Sequence, residues 1–493
     1  LMSPSEQPPS ESSPSESSSG GAAFAPAQEQ RWSLYAGFAE AAAGRSAQRE
    51  IWGWSALAML SLGVAGVFAL LVALSRVPGA AETIPWPVGF FEKGLILHVI
   101  FSFVVWFLSV LGGMAALAAG RLSAGAPRWN GLGPAAVALA GLASVLLFVP
   151  AWMDRGEASL NNYVPVIIDP VYYAGLMVLA LSLTLSVIRL LVNLIPRRGP
   201  LEPVSLSVVA TGLIYLLALA CFALAWLALA GSQSGAITAD FNEDLFWGGG
   251  HALQFVNVGL MLCAWYVLGG ISLGQPLIHP RLMAAVLLIL VVSALPAPFF
   301  YTVFEPFTFD QALAFTNLQY LLAPPVLLAA GGGVATVWRR RRNGDALPWA
   351  DPAFLCLALS ALVFAIGGVL GLYVDGGDTR TPAHYHGVIG GINLAFMGLF
   401  FALFLPLLKR ALKRGKAVSA SIWLYAMGQV LHSLGLFWAG GYGAPRKVAG
   451  ADQGLEALGA SAGLYLMGVG AVIAVVGGVM FIFMVSKALL KKN

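Results

Sequence analysis

Apolar runs of about 20 residues, the length that crosses a bilayer as a helix, recur twelve times along this 493-residue chain. They span 51–75, 94–119, 131–152, 171–196, 205–231, 246–270, 282–302, 312–337, 350–373, 385–408, 419–440 and 459–486. Within a bilayer every backbone polar group must be paired by the protein itself, so such segments become helices or close into a barrel. Barrel strands alternate apolar and polar residues, and these runs are continuous. The predicted fold class is an all-α polytopic membrane protein with twelve transmembrane helices. Composition agrees: 10% of residues are charged, where a soluble domain carries about a quarter.

Residues 1–30 are rich in Ser, Pro and Glu and read as a disordered tail. No charged stretch precedes an apolar core there, so a signal peptide is not expected. Residues 31–50 predict a short cytoplasmic pre-helix, 51–487 the twelve-helix domain and 488–493 a basic cytoplasmic end. With the N-terminus inside, 21 of the 27 Lys and Arg residues fall on inner segments, among them Arg339 to Arg342. Only Arg76, Lys93, Arg155, Arg380, Arg446 and Lys447 lie outside. That asymmetry places both termini in the cytoplasm. The net charge of +4 is accounted for by topology and implies no nucleic-acid partner.

Ionisable residues inside a membrane are costly and mark function. The second, sixth and tenth runs all cross in the same direction, and each carries histidine near its outer end: His98, His251, and the pair His384 and His386 in Thr381-Pro-Ala-His-Tyr-His-Gly387. At 1.5 Å rise per residue these four imidazoles share one layer. Residues i and i+2 of a helix point about 200° apart, so His384 and His386 face opposite sides of the tenth helix. One side can meet His98, the other His251. Facing imidazoles make the axial pair of a low-spin haem, whose apolar face suits a bilayer core. Gly387, Gly390 and Gly391 follow the pair, and Gly248 to Gly250 precede His251. Such glycines serve either the approach of a flat macrocycle or helix–helix packing. His279 lies on an inner loop and reads as solvated. His432, in the eleventh run, reads as an interhelical hydrogen-bonder or as a neighbour of a haem edge. Cys221, Cys263 and Cys356 lie inside apolar runs as small buried side chains. The absence of Cys-x-x-Cys-His excludes covalent haem attachment.

These residues resemble subunit I of the haem–copper oxidase superfamily, over about residues 50–487. The resemblance implies that His98 and His386 ligate a low-spin haem b and that His384 ligates a second haem. Trp247-Gly-Gly-Gly-His251 is similar to the family's copper-site segment. Gly443-Ala-Pro-Arg446-Lys447 stands where a Pro-Arg-Arg segment holds haem propionates, which implies that role for Arg446 and Lys447. The family's other two copper ligands are adjacent histidines in the seventh helix. Here that stretch reads Ala297-Pro-Phe-Phe-Tyr301, so no copper is expected. A cross-linked tyrosine found in many members would fall at Phe255. The runs also show no Asp, Glu or Lys in their interiors, which argues against proton pumping.

The leading expectation is a haem-bearing subunit of a respiratory oxidoreductase complex that acts as an electron-relay cytochrome b, with His251 completing a bis-histidine site at the second haem. Either haem reading, relay or reductase, implies partners: other membrane or periplasmic subunits, a cytochrome c or copper-protein subunit on an outer face that carries Trp86, Trp152, Asp240, Glu243 and Asp244 without singling out one patch, or quinol as an alternative donor. The resemblance also implies a bacterial or archaeal cytoplasmic membrane. A second reading is a divergent oxygen or nitric oxide reductase that recruits Tyr301 and Glu305. A third is a haem-free twelve-span transporter.

Overall fold

The chain starts its first crossing earlier than its apolar run does. In the computed structural model, which describes residues 32–76, 88–123, 126–232, 237–374, 376–448 and 453–491, the first span is Arg45–Ser75. The others are Phe91–Leu122, Leu132–Trp152, Pro170–Leu194, Pro203–Gly231, Ala239–Leu273, Pro280–Val303, Phe309–Arg342, Pro352–Gly371, Arg380–Leu407, the less apolar Lys416–Gly441, and Leu458–Leu490. Each matches one of the twelve apolar runs in order. The tail at 1–30 and Trp86 lie outside the described residues.

The starts of several spans are set by residues that satisfy free N–H groups. Asp169 accepts from Val171 N ahead of Pro170, and Asp351 accepts from Ala353 N ahead of Pro352. Thr238 accepts from Phe241 N at the head of the sixth span. His279 occupies the same position before Pro280 and accepts from Arg281 N, which leaves it exposed and apart from the other histidines.

The pre-helix expected over 31–50 is shorter, Ser33–Ala41. Trp32, Tyr35 and Phe38 recur along one face and are buried. Trp32 packs on Tyr266 of the sixth span. Residues 45–50 belong to the first span, and Glu50 within it is buried against Arg189 of the fourth. This corrects the expectation that no acidic residue lies inside a span. Arg189 Nη1 meets both Glu50 carboxylate oxygens at 2.6 Å, and the side chains are 4% and 2% exposed. An ion this deep needs its partner, and here one guanidinium nitrogen spans both carboxylate oxygens while Nη2 donates to Asn130 Oδ1.

Three spans form the centre. The second, sixth and tenth are buried over 72%, 100% and 89% of their most apolar stretch, more than any other. These are the spans that carry His98, His251, His384 and His386. Two of the three also contain a π-helical turn, Ile100–Val105 in the second and Phe400–Phe404 in the tenth. A π turn inserts a residue into the helical ladder and commonly marks a functional region. The carbonyl of Phe101, within the first of these turns, accepts from the Ser61 hydroxyl. Trp106 Nε1 donates to Asn393 Oδ1 at 2.8 Å, and Asn393 Nδ2 donates to the Tyr425 hydroxyl at 2.7 Å. This polar chain ties the second, tenth and eleventh spans together.

Between the third and fourth spans, β1 (Glu157–Ser159) pairs antiparallel with β2 (Val166–Ile168), Glu157 opposite Ile168. The hairpin tip carries Asn161, Asn162 and Tyr163. Tyr163 takes a left-handed backbone, φ 64°, a conformation that costs free energy in a residue with a Cβ.

Candidate functional site

Four of the span histidines hold one ring nitrogen against a main-chain carbonyl. His98 Nδ1 lies 3.1 Å from Ala65 O, His384 Nδ1 2.8 Å from Gly367 O, His251 Nδ1 2.7 Å from Trp247 O, and His432 Nδ1 3.1 Å from Met467 O. A carbonyl only accepts, so Nδ1 carries the proton in all four and Nε2 presents a lone pair. That is the orientation a metal-ligating imidazole takes. For His98, His384 and His432 no hydrogen bond occupies Nε2 among the described residues.

His386 is different. Neither of its ring nitrogens is hydrogen-bonded among the described residues. Its ring meets that of His432 edge to face, centroids 4.5 Å apart and planes at 74°. The groups that act on it electrostatically are His432, His98 and Arg76. The fold therefore gathers His98, His386 and His432 from the second, tenth and eleventh spans, with Arg76 at the end of the first. Arg76 Nη2 donates to Pro445 O at 2.9 Å, while its Nε is buried with no partner among the described residues. Burial pulls the Arg76 guanidinium below its usual range, an effect that Tyr385 opposes. Gln429 Oε1 and Ser433 Oγ, one helical turn apart on the eleventh span, are also buried and unpaired.

His384 and His386 meet different spans, the ninth and the eleventh, and His384 does not meet the sixth span's His251 as expected. His384 turns onto the ninth span, where its ring lies over Gly371. Gly367 and Gly387 meet backbone to backbone, and Gly391 meets the backbone of Phe364. Any side chain at Gly367 would displace the tenth span, so these glycines serve helix packing. Gly248, Gly249 and Gly250 have a third use: each is covered by aromatic side chains, Tyr301 with Phe315, Phe222, and Tyr163 respectively.

His251 is 1% exposed, in a box of Tyr163, Trp247 and Phe315. Its Nε2 is engaged by the Tyr163 hydroxyl at 2.9 Å. Among the described residues no ring contact or hydrogen bond joins it to His384. Phe299 is exposed on the outside of its helix, and the Phe300 ring packs on Phe315, centroids 5.1 Å apart. Among the described residues no group of three or more His, Cys, Asp or Glu side chains is placed to hold a metal ion. Beside this box a cavity of about 150 Å³ is lined by Glu243, Asp244, Trp247, Tyr301, Gln311 and Phe315.

Lys447 has a task that sequence reasoning did not assign. Its ammonium donates to the carbonyl of Leu160 and to Asn162 Oδ1, and so ties the 444–448 segment to the hairpin that carries Tyr163. Asn162 in turn donates from its backbone and side chain to Glu243. Burial, with the charge of Arg446 beside it, lowers the Lys447 ammonium to about 8. Arg446 acts electrostatically on Tyr163 and Tyr385, and no hydrogen bond or ion pair takes up its guanidinium among the described residues. Tyr163 itself went unnoticed in the sequence. An Asn-Asn-Tyr-Val-Pro stretch signals a turn, but nothing local aims its side chain at a histidine 88 residues away.

The family model for cytochrome c and quinol oxidase polypeptide I matches residues 51–480. The chain belongs to that family. Its fold is similar to that of a haem–copper terminal oxidase dimer solved by cryo-electron microscopy, with a TM-score of 0.76, 16% identity, and 91% of this chain and 85% of the other covered. An uncharacterized protein of Aquifex aeolicus is 28% identical over 71% of this chain and 83% of its own length. One from Rickettsia prowazekii is 24% identical over 88% and 95%. Cytochrome c oxidase subunit 1 of Thermus thermophilus is 26% identical over 42% of this chain and 40% of that subunit. The chain is thus a multi-span membrane protein of the oxidase subunit I type, with relatives in bacteria.

Proposed function

We propose that this family member is an electron-relay cytochrome b, the haem-bearing subunit of a respiratory complex in the bacterial cytoplasmic membrane, with both termini cytoplasmic. A haem supplies one-electron oxidation and reduction when bound. The donor set fits it. His98 and His386 lie on two of the three enclosed spans, joined through Trp106 and Asn393, and His98 is oriented by Ala65 with Nε2 open. Arg446 and Arg76 supply positive charge at the same end for the carboxylates that a haem carries. His384, oriented by Gly367 and open at Nε2, is the residue for a second haem. Lys447 is a lesser propionate partner than Arg446, because its ammonium already serves the hairpin.

The observation that carries the relay reading is the state of His251. Both of its nitrogens are engaged, by Trp247 O and by Tyr163, and Phe299 and Phe300 stand where the family resemblance calls for copper ligands. Such a residue set supports neither copper nor an open oxygen-reducing centre. It also leaves His251 available as an iron ligand only if Tyr163 moves away. Membrane or periplasmic subunits, a cytochrome c near exposed Trp152, and quinol are the candidate exchange partners.

A carbon monoxide difference spectrum of the purified, reduced protein tests this. A relay would give no band from a haem held by His98 and His386, nor from a His384 haem that His251 completes once Tyr163 has moved away; a His384 haem without His251 would bind carbon monoxide. A strong band in the wild type, together with oxygen turnover that His251→Ala abolishes, would favour a reductase.

A further inference from the structure

We propose that His432 is the hydrogen-bond acceptor for His386 when His386 ligates iron, and is therefore a positioning residue for that ligand. The inference rests on the reading that His98 and His386 share a haem. An imidazole that ligates through Nε2 carries its proton on Nδ1, and that N–H needs an acceptor. His98 and His384 have theirs in Ala65 O and Gly367 O. His386 has none, although it sits in the same low-dielectric interior, where an unpaired N–H is costly.

The missing acceptor is in contact with it. His432 Nδ1 is committed to Met467 O, so its Nε2 is fixed as the lone-pair nitrogen, and that nitrogen has no donor among the described residues. A donor without an acceptor and an acceptor without a donor among the described residues thus belong to rings packed edge to face, centroids 4.5 Å apart. Rotation of the unanchored His386 ring closes the pair. The arrangement follows from packing. Gly428, Gly435, Gly463 and Gly470 let the eleventh and twelfth spans meet at backbone distance, with Gly470 against the backbone of His432, and this brings Met467 O within reach of Nδ1. A glycine seam is a common way to dock membrane helices; here it also sets a tautomer.

An acceptor on Nδ1–H makes an imidazole a stronger donor to iron and favours the ferric state. The test is redox titration and electron paramagnetic resonance of the haem-loaded protein carrying His432→Ala, His432→Gln or His432→Phe. The proposal expects His432→Ala to raise the midpoint potential and move the low-spin g values. Gln, whose amide oxygen accepts, should return both toward wild type, and Phe, which fills the same space without accepting, should not. Gln429→Leu and Ser433→Ala, which remove the other unpaired acceptors on this span, should leave both signals in place. Unchanged signals in His432→Ala, rescue by Phe equal to that by Gln, or a shift that follows Gln429 or Ser433 instead, each overturn the proposal. A wild-type protein without low-spin haem would overturn the haem reading itself. The Gln and Phe variants keep the test open if the Ala variant fails to fold.

Discussion

Tyr163 donates its phenolic proton to Nε2 of His251 at 2.9 Å. The direction is fixed from the other side of the ring, because the Trp247 carbonyl already holds the proton on Nδ1. A strained hairpin tip, anchored by Lys447 and by the Asn162–Glu243 pair, thereby closes the nitrogen that a metal would need. Burial and the nearby Glu243 carboxylate push the Tyr163 phenol further above its usual range, so it remains a donor at every physiological pH.

Tyr163→Phe leaves His251 Nε2 buried and unpaired. A lost buried partner costs about 1–3 kcal/mol, so the thermal midpoint in detergent should fall. The low-spin haem spectrum assigned to His98 and His386 should not change, since Tyr163 touches neither residue. A variant as stable as wild type would show that the pair is incidental.

Glu50 and Arg189 form the deepest ion pair described. Removal of one partner strands the other charge, at about 3–5 kcal/mol. Glu50→Gln and Arg189→Met should each reduce folded yield sharply. The double substitution Glu50→Leu with Arg189→Leu should be better tolerated than either single change, as measured by size-exclusion yield and melting in detergent.

Lys447 gives stability a pH dependence with a definite sign. Its folded value, about 8, lies below the ordinary 10.5, so between those pH values the unfolded chain binds more protons than the folded one. Stability should therefore rise with pH across that window. Lys447→Met should remove that rise. A melting temperature that falls between pH 8 and 10.5 in wild type, and does so less in the variant, would contradict the assignment.

Gly367 and Gly387 touch through their backbones, so Gly367→Val should force the ninth and tenth spans apart. That change moves Gly367 O away from His384 Nδ1. Haem per chain should drop before the protein loses its helical circular dichroism; full retention of haem would contradict the packing role.

The twelve crossings were legible because bilayer burial imposes a length and a composition that any local window reveals. The first boundary was not: Arg45 to Glu50 look like a polar flank, and it is the Arg189 guanidinium from the fourth span that lets Glu50 be buried while Arg45 and Arg49 stay exposed. The histidine-bearing spans were legible for the same reason as the others, and the structure adds that they are the three most enclosed helices. What each imidazole does was not legible. Ala65, Gly367 and Met467 act through main-chain carbonyls, which have no sequence signature. The glycines were ambiguous by nature, since a missing Cβ serves a backbone at Gly387 and a tyrosine ring at Gly250 equally well. Tyr163 was invisible because a turn sequence specifies a bend and not the residue the bend delivers.

The central claim is that His98 and His386 clasp one haem between the second and tenth spans. Its most direct test is the reduced-minus-oxidised spectrum, with a haem count per chain, of the purified wild type beside His98→Ala. A sharp low-spin b-type band in the wild type that disappears in His98→Ala is the predicted result. A colourless wild type, or a low-spin band that survives the loss of His98, would contradict it.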